Sequence, residues 1–123
     1  MKRLVLTISI LIGLAAPAWA GFAEGLAAYN RGDYETALRE WRPLAEQGDA
    51  RAQLFLGLMY DKGRGVPQDY VQAHMWFNLA ASRLPPGAEH DVAVKNRDVL
   101  AAKMTPADVS KAQRLAREWK PKR

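Results

Sequence analysis

Few residues in this chain are of types that do chemistry, and their spacing points away from it. His74 and His90 are the only two histidines, and there is no cysteine. That composition excludes a disulfide framework, a thiolate zinc site and a cysteine nucleophile. The two histidines lack metal-ligand spacing, so each reads as a solvated or half-buried side chain. Gly63-x-Gly65 ahead of a helix has the outline of a phosphate cradle. No strand precedes it and no Gly-Lys-Ser/Thr follows, which makes it a pair of loop glycines. Asp33, Asp49 and Asp69 each stand just before an apolar periodic stretch, where a short carboxylate caps a helix rather than moving protons. Neither Ser-x-x-Lys nor Gly-x-Ser-x-Gly occurs. The reading is therefore a chain that is not an enzyme and takes no cofactor and no metal.

The least ordinary chemistry is cationic. Lys111, Arg114, Arg117 and Lys120, followed by Lys122 and Arg123, have only Asp108 and Glu118 nearby. Cations at the end of a helix complement its dipole. The same patch would also suit an acidic partner, peptidoglycan or anionic lipid head groups. The formal charge is +5, but Lys2 and Arg3 lie in a leader expected to be removed, leaving 16 basic and 13 acidic residues and a net of +3. That balance gives no argument for nucleic acid.

The leader is residues 1–20. Lys2 and Arg3 are its positive end, Leu4 to Ala16 its apolar run, and Ala18-Trp19-Ala20 its small-residue exit, with cleavage expected after Ala20. An apolar run of 13 residues is shorter than the ~20 a spanning helix needs. The expectation is a periplasmic or secreted protein with no transmembrane segment after cleavage.

Residues 21–123 then read as one all-helical domain of about three antiparallel helix pairs. In the first pair, 21–48, Phe22, Leu26 and Tyr29 recur at helical spacing before a turn at Gly32. After Asp33, the positions Ala37, Leu38, Trp41, Leu44 and Ala45 mark one buried face. In the second pair, 49–84, the inward stripe is Ala52, Leu56, Met59 and Tyr60, with Gly57 inside it. A glycine there costs about 1 kcal/mol against alanine, which close approach of the neighbouring helix would offset. Val66 can tuck back from the loop as an apolar plug. The partner helix presents Tyr70, Ala73, Trp76, Phe77 and Ala80; His74 lies off this face, so its truncation should cost little.

The third pair, 88–120, is expected to close the stack. Val92, Val99, Leu100 and Met104 are the inner face of its first helix. Thr105-Pro106-Ala107-Asp108 is a strong start signal for its second.

The first two pairs are one pattern written twice. Asp33-Tyr34 matches Asp69-Tyr70, Ala37 matches Ala73 and Trp41 matches Phe77, with extra residues from Arg64 to Gln68 in the second loop. The run Ala45 to Ala50, then Ala52-Gln53, Leu56-Gly57, Met59-Tyr60, Gly63-Arg64-Gly65-Val66, Asp69-Tyr70, Ala73, Trp76 and Ala80-Ala81 resembles a Sel-one-like repeat (SLR). That family belongs with the tetratricopeptide (TPR) α/α repeats. The first pair resembles a plain tetratricopeptide unit, and the third resembles the polar capping helices of such proteins.

The resemblance implies a short right-handed α-solenoid acting as an adaptor that holds a protein or peptide partner on its concave surface. It makes Ala27 and Arg31 of the first unit, and Arg51, Leu54, Leu58 and Asp61 of the second, the candidate groove residues. Leu54 and Leu58 lie off the stripe that packs on the partner helix, so they are either exposed for a partner or packed against the neighbouring pair. Alternatives are a cell-wall or lactam-type hydrolase, as in disulfide-rich relatives whose cysteines this chain lacks, and a structural component of an envelope assembly.

Overall fold

The computed structural model describes residues 18–122. All but three residues of the leader lie outside that span; Ala18, Trp19 and Ala20 form the start of the first helix. The described chain consists of six α-helices with no strand among the described residues: α1 (Ala18–Asn30), α2 (Tyr34–Glu46), α3 (Ala50–Lys62), α4 (Tyr70–Arg83), α5 (Ala88–Ala101) and α6 (Pro106–Glu118).

The helix starts are set locally. Asp33, Asp49 and Asp69 each accept a hydrogen bond from the backbone N–H three residues on, and Thr105 does the same for Asp108. Each satisfies one of the orphan donors of a first turn. The turn after α1 reverses at Gly32 with φ +81°, and α3 ends at Gly63 with φ +66°. Both are left-handed conformations that glycine adopts without a Cβ penalty.

Helices α1 and α2 form one hairpin and α3 and α4 a second, with α2 packed on α3 between them. Each hairpin closes on an aromatic ring seated over a glycine. A Cβ at Gly25 would lie 2.3 Å from Trp41 Nε1, and one at Gly57 would lie 2.7 Å from the Phe77 ring. Trp41 and Phe77 are completely buried. The close approach inferred for Gly57 is therefore real, but what fills the space is an aromatic ring from α4, not its backbone.

The last two helices depart from the hairpin pattern. Both α5 and α6 pack on α4 and hardly on each other. Helix α5 lies on the side of Leu54, Ala73, Phe77 and Ala80, adding Ala93 and Leu100. Helix α6 lies on the other side, bringing Leu115, Ala116 and Trp119 against the core that includes Met75, Trp76 and Leu79. Trp119 meets Trp76 edge-on at 6.3 Å between centroids. Past α6 the chain returns to the second helix, where the Lys122 amide donates to the Glu46 carbonyl at 2.8 Å.

The inner face expected for α5 is therefore corrected. Val92 and Val99 are 44% and 50% exposed, and the helix turns Ala93 and Leu100 inward, with Val94 and Met104 half-buried beside them. The reason is steric fit: α4 presents a bulky surface at Phe77, and a small residue at 93 lets α5 approach it.

Candidate functional site

The candidate site is a groove across α1, α3 and α5, the first helices of successive pairs. Its walls are Phe22 and Leu26 from α1, Leu54, Phe55 and Leu58 from α3, and Val92 from α5, enclosing about 340 Å³. Phe22 and Leu54 are buried at its floor, and the packing of each helix decides which residues stand beside them. In α1, Gly25 and Ala28 face Trp41 and the core, which leaves Phe22 and Leu26 along the adjacent edge. In α3, Leu56, Gly57 and Met59 are buried against the hairpin partner, which places Phe55 and Leu58 on the flank toward α1 and α5. The wall is rigid: Phe55 stands edge-on to Phe22 at 5.4 Å and beside Trp41 at 4.8 Å.

One end of the groove is polar. The Arg51 Nε donates to Glu89 at 3.1 Å, and the Arg51 guanidinium lies 4.3 Å from the centroid of the Phe22 ring. This pair ties α3 to α5 and α1 at once. Both partners are about half exposed, so its worth is in placing the α5 wall more than in stability. A second depression of about 430 Å³ continues past Arg51 and Glu89 to Pro85, Pro86 and Gly87.

Of the groove residues expected from sequence, Arg51, Leu54 and Leu58 line it; Ala27, Arg31 and Asp61 do not. Arg31 is exposed and pairs with Asp33 at the first turn, 3.5 Å away. Asp61 lies at the far end of α3, where its carbonyl accepts from Gln68 Nε2 at 2.8 Å. Of the two readings of Leu54 and Leu58, packing against the next helix is the one the structure shows: Leu54 is 3% exposed within the α4–α5 core, and Leu58 is half-buried at its edge. Leu54 forms the floor of the groove and Leu58 its margin. Phe22, Leu26, Phe55 and Val92 complete the walls. The signal that could have found two of them is the i, i+4 spacing of Phe22 and Leu26, with Phe22 stacked on Trp41 of α2 and Leu26 at the edge of the same core.

Two other features bear on the site. The extended loop of the second hairpin folds back over the first. Arg64 Nη1 donates to the Tyr29 hydroxyl at 2.6 Å, and its guanidinium lies over the Tyr29 and Tyr34 rings. That hydrogen bond, first among its causes, raises the guanidinium pKa above its already high ordinary value. Gly65, with φ +73°, lies so close to Tyr34 that a Cβ would come within 2.9 Å of its carbonyl oxygen. Buried Gln53 donates from Nε2 to the Ala45 carbonyl at 3.1 Å and joins α3 to α2. The basic residues Lys111, Arg114, Arg117 and Lys120 are all exposed, on and just beyond α6. Among the described residues no cluster of His, Cys, Asp or Glu could hold a metal ion, and no helix is long and apolar enough to cross a membrane.

Residues 50–83, helices α3 and α4 with the loop between them, match the model of the Sel1 repeat family. The chain carries a Sel1 repeat. The all-helical hairpin architecture around that segment fits a repeat of the SLR/TPR type. Sel1 repeats mediate protein–protein interaction. In this chain the Sel1 repeat supplies Arg51, Leu54, Phe55 and Leu58 to the groove, and the flanking helices α1 and α5 supply the rest.

Proposed function

We propose that this protein is a non-catalytic adaptor that acts outside the cytoplasm, as a periplasmic or secreted protein, and holds a segment of a partner protein in the α1–α3–α5 groove. The observation that carries the reading is the run of apolar side chains across three helices that are not adjacent in sequence, with Val92 still 44% exposed at its edge. An apolar patch shared by several elements and rimmed by polar groups is what a protein contact requires. The shape suits an extended or helical segment presenting apolar side chains at two or three positions. Placement outside the cytoplasm is supported by the sequence of residues 1–20.

Site-specific photocrosslinking tests the groove. A photoreactive residue replacing Val92 should yield a discrete crosslinked partner in intact cells, and the product should vanish in a folded Leu58→Asp variant. The same probe at Lys111, on α6, should give no such product. Crosslinking at Val92 that persists unchanged in Leu58→Asp would remove this groove as the binding surface.

A further inference from the structure

Among the described residues, His74 is the one buried titratable side chain that neither the core nor the groove explains. It is 3% exposed, and its Nδ1 has no hydrogen-bond partner. The expectation that it is solvated or half-buried is thereby overturned. A polar atom buried without a partner costs free energy in any state, and a buried imidazolium costs far more. The charged groups that bear on it are Arg97 and Asp98, both on α5. Those two are already engaged: Arg97 Nε donates to Asp98 at 3.1 Å, and Arg97 Nη1 donates to Asn78 Oδ1 at 3.2 Å. Asn78 is one turn beyond His74 on α4. Arg97 thus reaches across from α5 to the side of α4 that carries both Asn78 and, one turn earlier, His74.

We infer that His74 is an acid-sensitive latch for α5: neutral, it lets α5 lie flat on α4; protonated, it sets a second cation beside Arg97 within that contact and loosens the helix. Relief requires Asp98 to leave Arg97 for the imidazolium, or α5 to move and admit water. Either change shifts Ala88, Glu89 and Val92, which form the α5 wall of the groove. Any effect on partner capture rests on the groove being the binding surface. The movement of α5 does not.

The sign follows from linkage. Burial first, and then Arg97, hold the His74 pKa below its ordinary value of 6.5, with Asp98 opposing them. The unlatched state protonates near 6.5 and the latched state only below it, so the latch is intact at neutral pH and weakens as pH falls through 6.5. Between those two values the α5 opening equilibrium grows by up to about tenfold per pH unit.

Hydrogen exchange of the full chain at pH 7.5 and 5.5, corrected for intrinsic rates, reads this directly. Amides of α5 should lose up to about tenfold in protection at pH 5.5, while those of α1 and α2 hold theirs. In His74→Gln the loss should disappear. An NMR titration of the unmodified protein gives a second readout that does not depend on the variant folding. His74 should titrate below the ordinary imidazole value of 6.5, with α5 resonances following it. Equal loss of α5 protection in His74→Gln, or a His74 that titrates at or above the ordinary 6.5, would overturn the latch. If Val92 crosslinking fails while α5 still loosens in acid, the groove reading falls and the latch stands.

Discussion

The two hairpins solve one packing problem with different rings and different loops. In the first, Gly25 receives the indole of Trp41, whose Nε1 donates to the Phe22 carbonyl at 3.1 Å. In the second, Gly57 receives the phenyl ring of Phe77, which has no polar atom to place. The indole uses its hydrogen bond to fix the start of α1, and so positions the groove residue Phe22. The first hairpin has a short turn. The Sel1 repeat has a long loop, and it spends those residues on the neighbouring unit through Arg64, Gly65 and Val66. The hairpins are therefore alike inside and unlike at their turns, where the longer loop joins the units.

Truncating the two rings tests that likeness most severely. Trp41→Ala and Phe77→Ala should each cost about 3–5 kcal/mol in denaturant unfolding, because each leaves a large cavity. Trp41→Ala should also release the start of α1. If one truncation costs less than 1 kcal/mol, the two sites are not equivalent.

Filling the glycines is the next test. Gly25→Ala and Gly57→Ala should each destabilise by about 1–3 kcal/mol through overpacking, against the gain an alanine normally brings to a helix. Combining Gly57→Ala with Phe77→Leu should recover part of the loss, and a double-mutant cycle measures the coupling. An additive cycle would mean the ring and the glycine do not share the space.

The loops should differ more quietly. Arg64→Ala should lower the melting temperature by less than the ring truncations, and it should raise exchange at the Tyr29–Tyr34 turn of the first hairpin more than within α4. The reverse pattern would mean the loop serves its own hairpin. Asp49→Ala, which removes the α3 cap, should cost about 1 kcal/mol. Asp33, capping α2, should show itself through pH instead. The Thr36 hydroxyl, then the Thr36 amide, hold its carboxyl below the ordinary 3.8. Its contribution is thus complete above that value and lost as pH falls through the lowered one. Acid unfolding of Asp33→Ala and the parent protein should converge at the lowest pH.

What was legible in the sequence was what short-range chemistry decides. The caps at Asp33, Asp49, Asp69 and Thr105, the reversal at Gly32 and the buried face of α2 all follow from neighbours within one turn. The dense Leu56-Gly57 to Ala80-Ala81 motif carried the repeat. Residues whose fate depends on a distant helix were not legible. Leu54 and His74 are covered by α5, and nothing beside them announces that helix. Val92 and Val99 have the spacing of an inner face, yet Ala93 is the residue small enough to meet α4. The docking of α6 on α4 instead of α5 has no local signal either. Arg51, Leu54 and Leu58 were within reach of the sequence because they share one helix with the motif. Phe22, Leu26, Phe55 and Val92 needed the arrangement of three helices.

The return of the chain end to α2 has one more consequence. In an ideal stack each hairpin touches only its neighbours, so a stretch at one end can melt while the other persists. Here Trp119 rests on α4 and Lys122 is bonded to α2, which makes the last residues answer to elements far earlier in the chain. Fraying after α6 must break contacts with α2 and α4, so denaturation should proceed as one sharp event, not by successive peeling of that helix.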